Sequence, residues 1–465
     1  MKKAISILLI LALIFVPLVA CANDYEEENE DPYVNGEDNE NDDVVVIGDR
    51  ENVNLTLWGR DEDLAALRQR VDAFIEHVSH EVNLTVDIED KFGTYMMDAV
   101  LTDAQDAADV WTMTDSQLMR LYWAGALQEI QYNADEVKSA NVTGAVEAAS
   151  IDGSLFAYPL SVYNGYFLYY DSSIFSASDV QSWDRMLEVA EEAGVQVTMH
   201  IASNWYSLSF FRAAGLDAWP AGGGQTETNI DDPIGEDVIQ AMLDIVAHPA
   251  FIPLSDGDLV SVMNEGHVMA GVNGAWLAGS VESALGENFA AAKLPTVNIG
   301  GQQVQMGGAA GFMFLGVNSH SENVEWAERL ADFLTGYGSQ LAFAERPATN
   351  HAPTNIQTIS SIAQSRPALA ALGAQANYSA IINLDAFSNF WGPMEELVGI
   401  IVLGNPDNIS LQELLARTAA GIRGELTPDI TPDEDDPDAD DTDEPQDEPD
   451  EEPEEDYDEE YDDYD

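Results

Sequence analysis

Apolar side chains at Val53, Leu55 and Leu57 alternate with Asn54 and Thr56, and the run ends at Trp58. A period of two predicts a strand with one face on a core. After Gly59, Arg60 and Asp61 the period lengthens, and Leu64, Leu67, Val71, Phe74, Ile75 and Val78 form the apolar stripe of a helix. Val82, Leu84, Val86 and Ile88 then alternate again. Strand, helix and strand in this order predict a parallel α/β unit. The pattern recurs: residues 109–111 read as a short buried strand, followed by a helix through Leu118 and Leu121 with Gly125 as its C-cap. Residues 166–170 are strand-like, 183–193 form a helix stopped by Gly194, and Val195, Val197 and Met199 alternate. Further helices are expected over 238–247, 324–335, 387–403 and 411–422, and no short-period repeat is present. Open α/β sheets of this kind bind ligands beyond the carboxyl ends of their strands.

The two ends of the chain follow different rules. Lys2 and Lys3, an apolar run over 4–16 and the small residues before Cys21 have the order of an export signal, residues 1–20. Cys21 is the only cysteine, and the segment resembles the lipobox of bacterial lipoproteins, in which the cysteine is lipidated and becomes the mature N-terminus. Lipidation accounts for an exported thiol that has no disulfide partner. No later segment reaches the roughly 20 apolar residues of a membrane span. The protein is therefore expected on the outer face of the cell membrane, held by lipid.

Charge changes the picture only once it is located. The formal net charge is -68, but residues 22–50 hold 12 of the 85 acids and residues 426–465 hold 24. Residues 51–425 keep 49 acids against 14 Lys and Arg. A field of this sign repels nucleic acid, which is excluded as a partner. Residues 21–50 read as a self-repelling spacer behind the lipid, and 426–465, acidic and broken by prolines, as a disordered tail. Asp436, Asp438 and Asp440 have the spacing of the first EF-hand ligands, but Asp441 stands where the loop requires Gly, so the run reads as solvated acid.

Catalytic signatures are missing. There is no G-x-S-x-G elbow, no phosphate loop and no H-E-x-x-H. His77 and His80, three apart on the first helix, lack a third ligand nearby, so no metal and no cofactor are expected. With 49 acids in the body, carboxylate pairs of the glycosidase type occur everywhere and carry no signal. Aromatic residues at strand ends and in loops do stand out: Trp58, Tyr163, Trp205, Tyr206, Trp276 and Trp391. Planar rings stack on pyranose faces while neighbouring Asp, Asn and Arg groups hold the hydroxyls.

At these residues the chain resembles the extracellular solute-binding proteins of ABC importers, especially the maltose and maltodextrin-binding group. The resemblance runs over most of 51–420 and rests on four segments in the family's order: 55–61 (LTLWGRD), 108–127, 153–160 (GSLFAYPL) and 264–276, which ends in Asn273-Gly274-Ala275-Trp276. It implies an α/β fold of the periplasmic-binding-protein type, with two lobes joined by hinge strands and the ligand held in a cleft between them. The first lobe would use 51–161 and 310–357, the second 164–308 and 360–425, with crossings near 160–163 and 307–310. Lobe closure would trap an oligosaccharide for an ABC permease, without turnover, by a monomer.

The resemblance also assigns site residues. Trp276 matches a ring that stacks on sugar. Trp58, Arg60 and Asp61 match a loop of polar sugar contacts, Tyr206 with Trp205 an aromatic after a strand, and Trp391 a further platform. Met113 stands where the maltose binder has a tryptophan, with Thr114 and Asp115 beside it, and Tyr163 stands where it has an acidic ligand. Maltose itself is therefore not implied. A polyamine or other cationic ligand on the same fold is the alternative suggested by the acidic body. A surface-anchored glycan hydrolase or an adhesin are the alternatives from other classes.

Overall fold

Two long strands carry the architecture. Tyr158–Asp171 and Gly308–Val317 run antiparallel to each other through the middle of one large mixed sheet. Every residue of Gly308–Val317 is buried, which is why its sequence is a continuous small and apolar run instead of an alternating one. The computed structural model describes residues 50–346, 349, 351–382 and 389–425. Cys21, the spacer up to residue 49 and the tail from 426 onward lie outside the described residues.

On one side of this central pair, Val110–Thr114 runs antiparallel to Gly308–Val317, Asn52–Gly59 lies parallel to Val110–Thr114, and Asn83–Asp90 lies parallel to Asn52–Gly59. On the other side, Val268–Gly274 and Phe289–Ala292 pair antiparallel with the far half of Tyr158–Asp171, and Gln196–Met199 lies parallel to Val268–Gly274. Two apolar cores result. One gathers Leu57, Trp111, Met113, Phe314 and Leu330; the other gathers Trp183, Phe210, Met242, Leu397 and Leu415. Burying each large side chain contributes about 1.5–3 kcal/mol, and the first core also takes in Val268 and Val281, beyond the central pair of strands.

Local chemistry sets the helix ends. Ser182 and Ser410 accept the backbone N–H groups of Arg185 and Glu413 at the starts of Trp183–Ala193 and Leu411–Ile422, satisfying donors that a helix start leaves free. Thr114 and Gln117 form a capping box at Asp115–Trp123. Several expectations shift. The first helix, Asp61–Val78, starts at Asp61 and ends before His80, so His77 and His80 do not share a helix. The expected strand at 109–111 is Val110–Thr114. The helix expected from 387 is described as Trp391–Val402, with 387 and 388 outside the described residues. Among the described residues, no helix is long and apolar enough to cross a membrane.

Candidate functional site

The parallel strands Asn52–Gly59 and Val110–Thr114 end at the same edge of the sheet, so the residues that follow them meet there. Arg60 precedes the first helix, and its guanidinium is held by Glu62 at 2.5 Å and Asp63 at 2.9 Å. Asp63 also takes Arg346 at 3.0 Å, and Arg346 donates to the Glu62 carbonyl at 2.7 Å. His351 turns Nε2 toward Arg60 and Nδ1 toward Ser161 Oγ, 2.9 Å away. A guanidinium can only donate, so Nε2 is the acceptor and Nδ1–H donates to Ser161. Burial and the Arg60 charge hold His351 down at about 4. This pair is therefore not a base activating a serine nucleophile.

Asp115 opens its helix at the same edge. It accepts the N–H of Ser116 at 2.8 Å and of Phe312 at 3.3 Å. Phe312 lies where the pairing of the two long strands slips register, so its N–H is taken by a side chain. Burial pushes Asp115 up to about 6. Tyr163, on the other long strand, packs its ring against Gly311 and is pushed up to about 12, first by burial and then by Asp115.

Trp276 comes to this place from the other side of the central pair of strands. Its short helical turn, Ala275–Leu277, follows the strand Val268–Gly274. Gly274 is required there because the indole occupies the space a Cβ would take. Tyr169 donates its hydroxyl to the Gly274 carbonyl at 2.8 Å, and Asn273 Oδ1 accepts the Gly274 N–H at 2.7 Å. The turn is thus fixed while the ring remains 56% exposed. Tyr163 and Trp276 line one cavity of about 430 Å³, together with Phe167, Phe289, Glu282 and Arg366. A second cavity of about 300 Å³ shares Tyr163 and Thr349 with the first and is lined by Arg60, Glu62, Asp63, Arg346 and His351. These form one aromatic and polar cleft.

The other expected residues lie elsewhere. Trp58 is buried, donates to Glu89 at 3.0 Å and has the Lys91 ammonium 3.9 Å above its ring. Asp61 is exposed in the first turn of its helix. Tyr206 is buried, and its hydroxyl donates to Asn273 at 3.2 Å, so it supports the Trp276 turn from beneath. Trp205 packs on Tyr166 and on Trp391, with ring centroids 5.8 and 6.4 Å apart, as a separate aromatic cluster of the second lobe. Arg346, His351 and Arg366 were not anticipated; they are more than 180 residues from Tyr163 in sequence, and no local pattern marks them.

Residues 69–371 match the sequence profile of the bacterial extracellular solute-binding protein family. The chain belongs to that family. Among solved structures, this solute-binding protein is similar to the ligand-free maltodextrin-binding protein MalE1 of L. casei BL23, at 24% identity and a TM-score of 0.61, covering 80% of this chain and 99% of that one. It is also similar to an extracellular solute-binding protein of Staphylococcus aureus in complex with maltose, at 16% identity and a TM-score of 0.64, covering 79% and 96%. The maltose-binding protein MalE of Listeria monocytogenes, in complex with maltose, matches at 16% and 0.61, covering 81% and 99%. At these identities the likeness concerns the fold, which is the two-lobed fold of periplasmic solute-binding proteins. No curated protein matches the chain.

Proposed function

We propose that the protein is a lipid-anchored extracellular receptor that captures an oligosaccharide by lobe closure and delivers it, unchanged, to an ABC permease. One observation carries this reading: the turn that bears Trp276 is fixed by buried hydrogen bonds to Gly274, yet the ring is 56% exposed and lines a cavity with Tyr163. A solvent-facing indole costs hydrophobic free energy that a stacked ligand would recover. The adjoining Arg60, Glu62, Asp63 and Arg346 supply the donors and acceptors that sugar hydroxyls need. Closure would turn about the two long strands near 160–163 and 307–310, between lobes 51–161 plus 310–357 and 164–308 plus 360–425. The register slip at Gly311 and Phe312 lies close to that point. A cationic ligand is the second reading, since Glu62, Asp63 and Glu282 share the cleft walls with Arg60, Arg346 and Arg366, but Glu62 and Asp63 are already paired with arginine.

Calorimetry against malto-, xylo-, galacto- and manno-oligosaccharides, with spermidine included, tests the proposal. We expect one sugar series to bind, Trp276→Ala to weaken it by about 10–100-fold, on the order of 1.4–2.8 kcal/mol, and no new reducing ends to appear. Binding of spermidine alone, or full affinity in the Trp276→Ala variant, would refute it.

A further inference from the structure

Arg366 is a cation on the ligand cleft that no carboxylate among the described residues neutralises. It lines the cavity beside Trp276, and its Nη1 donates to the Arg346 carbonyl at 2.8 Å. Its backbone N–H is held by the Ile362 carbonyl at 2.8 Å, so the residue is anchored at both ends. Among the described residues no ion pair reaches it, in a body where 49 acids surround 14 Lys and Arg. The contrast with its neighbours is direct: Arg60 and Arg346 are both saturated by Asp63 and the Glu62 side chain or carbonyl. The wall also carries Glu282, exposed on Ala278–Leu285 and not paired with Arg366. Nε and Nη2 of Arg366 are thus left as donors, and a guanidinium fork matches a carboxylate in geometry as well as charge.

A field as negative as that of this body repels any anion, so Arg366 can hold a carboxylate only where its fork receives it directly and a second contact, stacking on Trp276, holds the rest of the ligand. We infer that the ligand is an acidic oligosaccharide, one carrying a uronate-type carboxylate that Arg366 receives while Trp276 takes a sugar face. The inference rests on the sugar-binding reading above and narrows it.

Calorimetry of the purified protein with maltotriose and with trigalacturonate, two trisaccharides that differ in their carboxylates, provides the test. Wild type should bind the acidic trisaccharide at least tenfold more tightly, compared at one fixed ionic strength. Arg366→Gln should lose the preference without losing its melting transition, and Arg366→Lys should recover part of it by restoring the charge. Trp276→Ala should weaken both ligands. A preference for maltotriose, or an Arg366→Gln effect equal on both trisaccharides, overturns the acidic-ligand inference and leaves the sugar reading standing. Binding of neither trisaccharide overturns the inference and leaves the sugar reading to the wider panel, whereas a Trp276→Ala variant that binds both normally removes the sugar reading and the inference together.

Discussion

Asp115 and His351 are displaced in opposite directions by the same cause, burial beside the cleft. Asp115 rises to about 6 from its ordinary 3.8, so the stability it contributes is complete below about 3.8 and is lost as pH rises through 6. His351 falls to about 4 from 6.5, so its contribution is complete above 6.5 and is lost as pH falls through 4. Between pH 4 and 6.5 the two slopes oppose each other, each worth up to about 3 kcal/mol, and the wild-type melting temperature should change little on their account. Asp115→Asn should expose a loss of stability as pH falls through this window. His351→Gln should expose a gain over the same range. Thermal denaturation from pH 4 to 7 checks both, and parallel profiles for the two variants would contradict the assignment. Sequence could nominate Asp115 through its place after a strand, but the Phe312 N–H that holds it lies 197 residues away.

At the scale of elements, periodicity was a reliable guide wherever one face met water. Trp183–Ala193 and Leu411–Ile422 have the bounds that their apolar stripes and stop signals predict. It was a poorer guide inside the sheet. Tyr158–Asp171 extends well beyond the expected 166–170; it is buried almost throughout, so no alternation marks where it begins, and only the aromatic run at 166–170 reads as strand. The hairpin joining Thr296–Ile299 to Gln302–Gln305 turns on Gly300 and Gly301, both with positive φ, and its Gly-Gly signal was present in the sequence. The long strands also set the shape of the cleft. A Cβ at Gly311 would lie 2.8 Å from the Tyr163 ring, and an aromatic ring yields only by rotating away. Gly311→Ala should therefore cost about 1–3 kcal/mol and weaken ligand binding as Tyr163 is displaced into the cavity. An unaltered melting temperature and affinity would show that Tyr163 is not confined there.

For the whole molecule, delivery depends on the proposed anchor as well as on the cleft. Cys21→Ser should release a protein that still binds its ligand but no longer supports uptake, measured by cell fractionation and transport of labelled sugar. Normal uptake by a fully released variant would remove the role assigned to the lipid. The order of strands and helices and the acidic composition of the ends are properties of neighbouring residues, set by local periodicity, turn chemistry and charge, and the sequence by itself determined them. Which side chains share the cleft was decided only by the tertiary structure. Arg60, Tyr163, Trp276 and Arg366 are spread over more than 300 residues of the sequence, and their meeting depends on how the sheet and its helices pack. The same packing buried Tyr206 and Trp58 while leaving Trp276 open to solvent. No pattern along the chain distinguishes those three rings; what separates them is which surfaces the folded lobes cover.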